Sequence, residues 1–408
     1  MQVAILSQYY SPEMGAPQSR LSDLASHLRR RGHDVVVLTA MPNYPEGKVF
    51  EGYEGVLRRE HRAEAEVIRT WIWPSASKQL IPRLLSYLSF TVSAATLGLA
   101  RLPKIDVLVT ESPPLTLGLT SWLISRVKRA RLVFNVSDLW PESAVTLGML
   151  SPSGSGTKLA YRLEAFSYRS AWRVSGQSTE ILASVEARFP DVSTVPFPGG
   201  VDTTRFRPDA GSPEVRRRVL GDEPIIALYA GLHGLAQGLE SILDAAERLS
   251  DMPDLAIVLL GSGPMKPTLE ETARRRGLRN VRFVDVLPPE QVPAVLAAAD
   301  IALVPLGARL VGAVPSKLYE AMASGVPVVV AADGEPAEIV ASEGAGLAVS
   351  PGDVEGLVAA LRRLAADEDE RRALGAAGRR AACERHDRRV ICDRFIDALE
   401  DALRTSTA

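Results

Sequence analysis

Short runs of β-branched and other apolar residues alternate with longer amphipathic segments along nearly all of the 408 residues. Runs such as VAILS at 3–7 and IALVPL at 301–306 are typical of buried strands. The segment 17–31 carries Leu21 and Leu28 at helical spacing and predicts an amphipathic helix. Such alternation of strands and helices predicts α/β architecture, with parallel sheets covered by helices on both faces.

The chain is longer than the ~250 to 300 residues at which a single hydrophobic core stops growing, so two domains are expected. Periodicity is lost in PFPGGVDTTRFRPDAGSP at 196–213, which predicts the boundary. We therefore predict two doubly wound Rossmann-like domains, at 1–200 and 201–386, that face one another across a cleft. Residues 387–408 are predicted to form a helix that crosses back to the first domain. Ligands of such sheets bind beyond the carboxyl ends of the strands.

Composition and charge exclude several classes of protein. The hydrophobic fraction is 46%, and 47 Lys and Arg stand against 49 Asp and Glu for a net charge of −2. These values exclude intrinsic disorder and a globally basic nucleic-acid binder, so no nucleic-acid partner is expected. Residues 1–200 hold 22 basic and 17 acidic side chains (+5), and the remainder 25 and 32 (−7). This difference in charge between the two halves either has no functional meaning or indicates that the first half meets an anionic partner.

Cysteine usage and hydropathy bear on location. Two cysteines cannot form a disulfide framework, so a reducing, cytoplasmic setting is predicted. The opening MQVAILSQYYSPE lacks the pattern of a signal peptide, and none is expected. The apolar stretch 84–100 falls short of the ~20 residues that span a bilayer. It is either a buried helix of the first domain or a helix on a membrane surface, with Trp71 and Trp73 nearby.

One helix in the second half could hold an anion. Pro315 and Ser316 predict its start, with Ser316 as N-cap, and Gly325 predicts its end. Its N-terminus and Lys317 suit a phosphate, while the carboxylate of Glu320, one turn further, could accept hydrogen bonds from two ribose hydroxyls. Taken from these residues alone, a capped helix with a Lys317–Glu320 contact is the competing interpretation.

The chain resembles the retaining family-4 glycosyltransferases of GT-B architecture in five segments that occur in the family's order. These are GHDVVVLT at 32–39, PGGVDTTRFRP at 198–208, YAGLHGLAQGLE at 229–240, LLGSGP at 259–264 and PSKLYEAMASGVPVV at 315–329. Two further segments, QYYSPEMGAPQSR at 8–20 and NVSDLWPES at 135–143, resemble a subgroup with fucosamine-type transferases that act on lipid-linked surface polysaccharides.

The resemblance implies a nucleoside-diphosphate sugar, with UDP expected, as donor. It places Glu320 on the ribose, Ser316 and Lys317 on the diphosphate, and the backbone of residues 286–287 at the nucleobase. The predicted donor-binding residues are Gly15, Gly231, His233, Gln237, Gly261, Val286, Leu287, Ser316, Lys317 and Glu320. The chain departs from the family at Gly312, where a second glutamate is usual, and at His233 and Gln237, where Arg and Lys are usual.

In the first half, Asp138 follows the predicted strand LVFNV, and Glu142 comes shortly after it. We predict that Asp138 and Glu142, with Lys317, form the catalytic set, although a helix N-cap is the alternative for Asp138. Arg20 and Asp138 are predicted to contact the acceptor. Retaining enzymes of the family let the departing phosphate take the acceptor proton, so catalysis would consist of positioning and of stabilising that phosphate.

No cofactor and no metal are predicted. Asp367–Glu368–Asp369 follows no strand and is typical of the start of a helix. A dehydrogenase is excluded because the first strand leads into SQYYSPEMGAPQ and not into G-x-G-x-x-G. The predicted function is hexosyl transfer to a saccharide or lipid-linked saccharide, in the cytoplasm or on the inner face of the membrane. A UDP-sugar epimerase, a non-catalytic sugar-nucleotide-binding partner and a soluble natural-product acceptor remain alternatives.

Overall fold

The computed structural model describes residues 1–77, 79–307 and 309–407. Its contacts divide the chain into two compact units. The first unit contains Met1–Pro198 together with Ile391–Ala408, and the second contains Gly199–Val390. The break after Pro198 lies inside the segment 196–213, where hydrophobic periodicity is lost. The return to the first unit begins at Ile391, slightly later than the predicted residue 387.

The first unit is built on an eight-stranded sheet of order β3-β4-β2-β1-β5-β6-β7-β8, in which β3 is antiparallel to β4 and the other pairs are parallel. The strands are β1 Gln2–Leu6, β2 Asp34–Ala40, β3 Leu57–His61, β4 Glu66–Thr70, β5 Val107–Ser112, β6 Arg131–Val136, β7 Arg173–Gly176 and β8 Thr194–Pro196. Strands β1, β2, β5 and β6 are buried on both faces over most of their length, as parallel strands covered by helices require.

Helices cover this sheet. They are α1 Ala16–Arg30, α2 Leu80–Ser93, α3 Leu99–Arg101, α4 Leu117–Lys128, α5 Glu142–Thr146, α6 Ser155–Ser170 and α7 Thr179–Arg188. A π-helical turn, Ala94–Gly98, joins α2 to α3. The apolar side of α1, including Leu21, Leu24 and Leu28, packs against Val3 and Ile5 of β1, which confirms the predicted amphipathic helix.

The second unit holds a six-stranded, all-parallel sheet of order β11-β10-β9-β12-β13-β14. Its strands are β9 Ile225–Ala230, β10 Leu255–Leu260, β11 Val281–Val284, β12 Ile301–Pro305, β13 Val328–Ala331 and β14 Gly346–Val349. Its helices are α8 Pro213–Val215, α9 Glu240–Arg248, α10 Lys266–Arg276, α11 Val292–Ala297, α12 Ser316–Ala323, α13 Glu335–Glu343, α14 Val354–Ala366 and α15 Glu368–Ala381. Two apolar clusters, one on each face, sandwich the sheet.

The last helix, α16 Arg388–Thr407, packs on the first unit. Phe395 stacks on Phe197 with ring centroids 4.4 Å apart, and Arg31 forms ion pairs with Asp397 at 2.6 Å and Glu400 at 2.9 Å. The C-terminal helix α16 is therefore held to the first unit by an aromatic contact and by ion pairs. No helix of the described chain is both long enough and apolar enough to cross a membrane.

Two strands of the first sheet had no signal in the pattern of apolar residues. Strand β3, LRREH, is exposed or half-buried throughout and lies at one edge, and β8, TVP, has three residues at the other edge. An edge strand needs few apolar residues because one side of its backbone faces no partner strand. The predicted N-cap is also corrected, because Pro315 occupies that position and Ser316 is the first helical residue of α12.

Candidate functional site

Glycines bring the loops after β9 and β10 into backbone contact. Gly231 and Gly261 have φ of 153° and 140°, in the region that glycine favours. A Cβ on Gly261 would stand 1.9 Å from the carbonyl oxygen of Gly231, and one on Gly263 would stand 2.4 Å from that of His233. Backbone groups at the carboxyl edge of the second sheet are thus packed more closely than any other residue type would allow.

The first turn of α12 lies against the same loop. A Cβ on Gly231 would stand 2.1 Å from Cε of Lys317, so the lysine side chain runs directly over the glycine. The Lys317 ammonium lies 5.4 Å from the centroid of the Tyr229 ring. Burial lowers the pKa of Lys317, and Glu320 counteracts part of that effect. A cation held here without strong hydration is suited to receive an anionic group such as a diphosphate.

Glu320 lies half-buried one turn further along α12. Burial raises the pKa of its carboxyl, while Lys317, a hydrogen bond from Ser316, Arg388 and Arg205 oppose the rise. A carboxylate in such surroundings gains from additional hydrogen-bond donors, and the two hydroxyls of a ribose are donors of the right kind. The helix ends as predicted, with Gly325 at φ 70° directly after its C-cap.

His233, one of the predicted donor-binding residues, is fully buried. Its ring lies between Tyr229 and Phe283, at centroid distances of 5.8 and 6.3 Å, and neither ring nitrogen has a hydrogen-bond partner among the described residues. Burial lowers the pKa of the imidazole, and nearby Lys266 adds to the effect. Its backbone accepts from Met265 N–H and donates to Ser262, so His233 ties the two glycine loops together.

The carboxyl edge of the second sheet also exposes apolar side chains. Among the residues of this unit that the structure describes, four large apolar side chains are exposed, and all of them follow β9, β11 or β12: Leu232, Leu235, Val286 and Val311. Val286 is 69% exposed at the position predicted for the nucleobase, and Leu287 beside it is half-buried. Exposed apolar groups gathered at one edge are typical of a surface that receives a ligand or another surface.

Sequence reasoning missed several charged residues of this edge. Lys266, at the start of α10, donates to the Gly261 carbonyl at 3.0 Å and to Asp285 at 2.6 Å. Arg205 and Arg388 act on Glu320 through their charge. A signal for Arg205 was present, since it lies in the segment PGGVDTTRFRP, but only the tertiary structure brings that segment near α12. Gln237 lies in a short 3₁₀ turn, and its Oε1 is buried without a partner in the described chain.

In the first unit, Gly15 is the exposed N-cap of α1. Its φ of 167° is extended backbone that any residue adopts, and a Cβ there would meet only the end of the Gln18 side chain. The fold itself therefore does not require glycine at this position. Nearby, Glu13 accepts hydrogen bonds from the backbone N–H groups of Asn43 at 2.8 Å and Tyr44 at 2.9 Å, which anchors the loop that leads to α1.

Arg20, which is predicted to contact the acceptor, is buried. Its guanidinium forms an ion pair with Glu111 at 2.6 Å and donates to Gln177 at 2.9 Å and to Ser137 at 2.5 Å. Asn135 donates to the other oxygen of Glu111 at 2.7 Å. These residues follow or end β5, β6 and β7, so the network holds the loop that continues into Asp138.

Asp138 is half-buried after β6, and it is not the N-cap of a helix, because α5 begins at Glu142 with Pro141 as its N-cap. Its carboxylate accepts a hydrogen bond from Ser143 at 3.0 Å. Burial raises the pKa of Asp138, and the Ser143 hydrogen bond opposes the rise. Glu142 lies 3.8 Å from Arg188, which is paired mainly with the buried Glu164. Asp138 is thus the less well neutralised of the two predicted carboxylates.

Asp138→Asn is expected to make the protein more stable at pH 7. Since the folded pKa is raised, the ionised carboxylate costs free energy in the folded state, and asparagine can still accept from Ser143. The gain should shrink as pH falls through the raised pKa, where Asp138 becomes neutral. Thermal melts between pH 4 and 8 measure it. Asp191→Asn, at a side chain that is 60% exposed, is the control and should change stability by less than ~0.5 kcal/mol. A lower melting temperature for Asp138→Asn at pH 7 would contradict this reading.

Acidic side chains do not cluster as metal ligands in the described parts of the chain, where no group of three or more His, Cys, Asp and Glu could hold a metal ion. Asp367 is the N-cap of α15 and accepts from the backbone N–H of Glu370, which confirms its predicted role as a helix start. Neither Cys383 nor Cys392 forms a disulfide.

These features define a protein of the doubly wound α/β class, with one mainly parallel and one all-parallel sheet and a loop cluster at the carboxyl edge of the second. A family model described as "Glycosyl transferase 4-like domain" matches residues 15–200, and one described as "Glycosyl transferases group 1" matches 213–381. The chain is 31% identical over 377 residues to the putative colanic acid biosynthesis glycosyl transferase WcaI of Escherichia coli, covering 89% of this chain and 92% of that protein. The chain therefore belongs to the GT-B glycosyltransferase family.

Other relatives and solved structures agree with this assignment. A GDP-mannose-dependent alpha-(1-6)-phosphatidylinositol monomannoside mannosyltransferase of Mycolicibacterium smegmatis is 30% identical over 292 residues, covering 64% of this chain and 75% of that protein. Sucrose-phosphate synthase from Thermosynechococcus elongatus superimposes with a TM-score of 0.74 at 20% identity, covering 99% and 100% of the two chains. Anabaena HepE in complex with UDP gives 0.73 at 18% identity, covering 98% and 100%, and both structures share the fold.

Proposed function

We propose that this protein is a retaining glycosyltransferase that moves a hexose from a UDP-sugar to a lipid-linked saccharide. The observation that carries the proposal is the convergence of Lys317, Glu320 and the Gly231 backbone at the carboxyl edge of the second sheet. A cation and a helix N-terminus beside a close-packed glycine loop suit a diphosphate. A half-buried carboxylate one turn further suits a ribose.

In the proposed reaction, the bond between the anomeric carbon and the β-phosphate oxygen breaks, and the acceptor hydroxyl oxygen bonds to that carbon on the same face. The acceptor proton passes to the departing diphosphate oxygen. Lys317 and the first-turn N–H groups of α12 stabilise the charge that develops on the diphosphate. This chemistry needs no residue of the chain as a proton acceptor, and we propose that it proceeds without a metal or a cofactor.

The first unit is proposed to position the acceptor. Asp138, which follows β6 and is poorly neutralised, orients the acceptor hydroxyl, and Glu142 assists it. Gly15, at the start of α1, is proposed to approach the donor phosphate through its backbone N–H, since the fold does not otherwise require glycine there.

The names of relatives support a lipid-linked acceptor, and the cytoplasmic face of a membrane is the proposed place of the reaction. The E. coli relative is named for colanic acid biosynthesis, and the mycobacterial relatives are named for transfer to phosphatidylinositol monomannoside. The fucosamine-type subgroup, suggested by NVSDLWPES at 135–143, is compatible with surface-polysaccharide synthesis. The HepE complexes with UDP support the proposed nucleotide, whereas the mannosyltransferases are named for GDP-mannose.

A donor panel tests the proposal. We expect UDP and UDP-hexoses to bind at least about tenfold more tightly than GDP and GDP-mannose, measured by calorimetry, and slow hydrolysis of the preferred donor. Preference for GDP would overturn the nucleotide assignment, and no binding of any nucleotide sugar would overturn the donor site. Isomerisation of the sugar without an acceptor would identify an epimerase. Tight binding without transfer to lipid-linked or soluble acceptors would identify a non-catalytic partner.

A further inference from the structure

The outer side of α2 is apolar and exposed. Ile81, Leu85, Leu88 and Val92 recur at the spacing of one helical face, and each is between 46% and 71% exposed. Trp71 and Trp73, which follow β4, are 41% and 58% exposed and share a groove of about 500 Å³ with Leu85, Leu88 and Val92. We refer to Trp71, Trp73, Ile81, Leu85, Leu88 and Val92 as the apolar face.

The inner side of the same helix is part of the fold. Phe90 and Ala94 are fully buried, and Ser93 lies 3.0 Å from Thr70 of β4 through their hydroxyl oxygens. The two interpretations of segment 84–100 therefore apply to opposite sides of one element. Since α2 is held from within, the apolar face stays exposed in the folded protein, and so large an exposed apolar surface indicates a binding partner.

The segment that carries most of the apolar face is richer in basic than in acidic residues. Residues 79–130 contain six Lys and Arg and two Asp and Glu, and one of the two acids, Glu111, is buried against Arg20. Arg59 donates to the Arg101 carbonyl at 3.2 Å, and Lys128 donates to the Leu102 carbonyl, so basic side chains gather where the segment ends. Leu97 lines the groove one turn before Arg101. We refer to Arg83, within α2, and Arg101 as the basic margin. An apolar face with such a margin is complementary to lipid with anionic headgroups.

We propose that the apolar face binds the surface of an anionic bilayer, with Trp71 and Trp73 at the level of the headgroups. Tryptophan prefers this depth because its ring is amphipathic. A second copy of the chain is a poorer occupant, because a two-fold contact would bring the basic margins of both copies together.

This surface adjoins the loop that contains Gly15, which is proposed to approach the donor phosphate, and this point rests on the proposed function. Tyr9, in the loop between β1 and α1, packs edge-on against Tyr44 at 5.7 Å. Burial raises the pKa of the Tyr9 phenol, with Tyr87 of α2 adding to the rise and Arg83 opposing it, so the first turns of α2 adjoin this loop. A bilayer on the apolar face would present a lipid-linked acceptor beside the loop that contains Gly15.

Vesicle flotation of the full chain tests the proposal. We expect binding to vesicles containing about one third anionic phospholipid, and at least about tenfold weaker binding to neutral vesicles. Trp73→Ser and Leu85→Ser should each weaken binding to anionic vesicles about tenfold, and Arg101→Gln should weaken it less. Leu159→Ser, at a side chain of α6 that is 66% exposed, is the matched control and should bind as the parent does. Circular dichroism verifies that each variant is folded.

Failure to float with anionic vesicles would overturn the proposal, and so would equal loss of binding in Leu159→Ser. Equal binding to neutral and anionic vesicles would overturn the role of the basic margin. A dimer in light scattering that is lost in Leu85→Ser, without vesicle binding, would assign the face to a second copy. Flotation needs no nucleotide sugar, so the two experiments are independent. A failure of flotation would overturn membrane binding alone, and a failure of the donor panel would overturn the proposed function alone.

Discussion

Glu320→Gln is expected to lower kcat/KM for sugar transfer by at least about a hundredfold and to weaken UDP binding. Glutamine offers one acceptor oxygen and places an N–H₂ donor where the second oxygen accepts, so one ribose hydroxyl would face another donor. Lys317 would at the same time lose a charge that supports its protonated form. Steady-state kinetics and calorimetry with UDP measure both effects.

The variant should be folded and at least as stable as the parent. Burial raises the pKa of Glu320, which means that its ionised form costs free energy in the folded state at neutral pH. Glu338→Gln, at an exposed position of α13 in the same unit, is the matched control and should leave both kinetics and UDP affinity unchanged. Parent-like UDP affinity in Glu320→Gln would refute the assignment of α12 to the donor.

Arg20→Met is expected to lower the free energy of unfolding of the first unit by about 3 to 5 kcal/mol. The side chains of Arg20 and Glu111 are only 8% and 4% exposed, so removal of the cation leaves a buried carboxylate without its counter-charge. Ser137 and Gln177 would also lose a hydrogen-bond donor. Urea unfolding followed by tryptophan fluorescence measures the loss, since every tryptophan lies in the first unit.

Arg29→Met provides the control on the same helix. Arg29 pairs with Asp34 at side chains that are 54% and 70% exposed, and such surface pairs contribute less than ~1 kcal/mol. In the double variant Arg20→Met/Glu111→Leu, at least about half of the lost stability should return, because the orphaned charge is gone. If Arg20→Met lowered the free energy of unfolding no more than Arg29→Met does, the buried Arg20–Glu111 pair would not stabilise the first unit as expected.

Much of the fold could be predicted from the pattern of apolar residues. Strands buried on both faces, such as β1 and β12, appear as continuous apolar runs, and α1 shows helical spacing. The edge strands β3 and β8 could not be predicted this way, because an edge position places little demand on composition. The exact start of α12 also escaped prediction, since Pro315 and Ser316 are both suited to a cap and only the backbone angles distinguish them.

The candidate site was predictable only in part. Lys317 and Glu320 were found because their spacing within one helix is local and can be seen in sequence. The contact between Lys317 and Gly231 joins residues far apart in the chain, and no local pattern contains it. The same holds for Lys266, whose partners Gly261 and Asp285 come from the ends of two neighbouring strands.

Arg20 illustrates the difference most clearly. Its position one turn into the predicted helix suggested that it could reach a ligand. The parallel order of β5, β6 and β7 instead brings Glu111, Ser137 and Gln177 around it, and the guanidinium becomes part of the interior. Burial of a charge depends on partners from several elements, which is a property of the tertiary structure.

The α/β class, a domain break within 196–213, the helix that carries Lys317 and Glu320, and the family resemblance could all be predicted from local spacing and ordered motifs. The three-dimensional fold was needed to show which charges are buried, that His233 is enclosed, and that α2 is buried on one side and exposed with Trp71 and Trp73 on the other. Periodicity states that a helix has an apolar side. It cannot state which apolar residues the rest of the protein leaves uncovered, since that depends on elements distant in sequence.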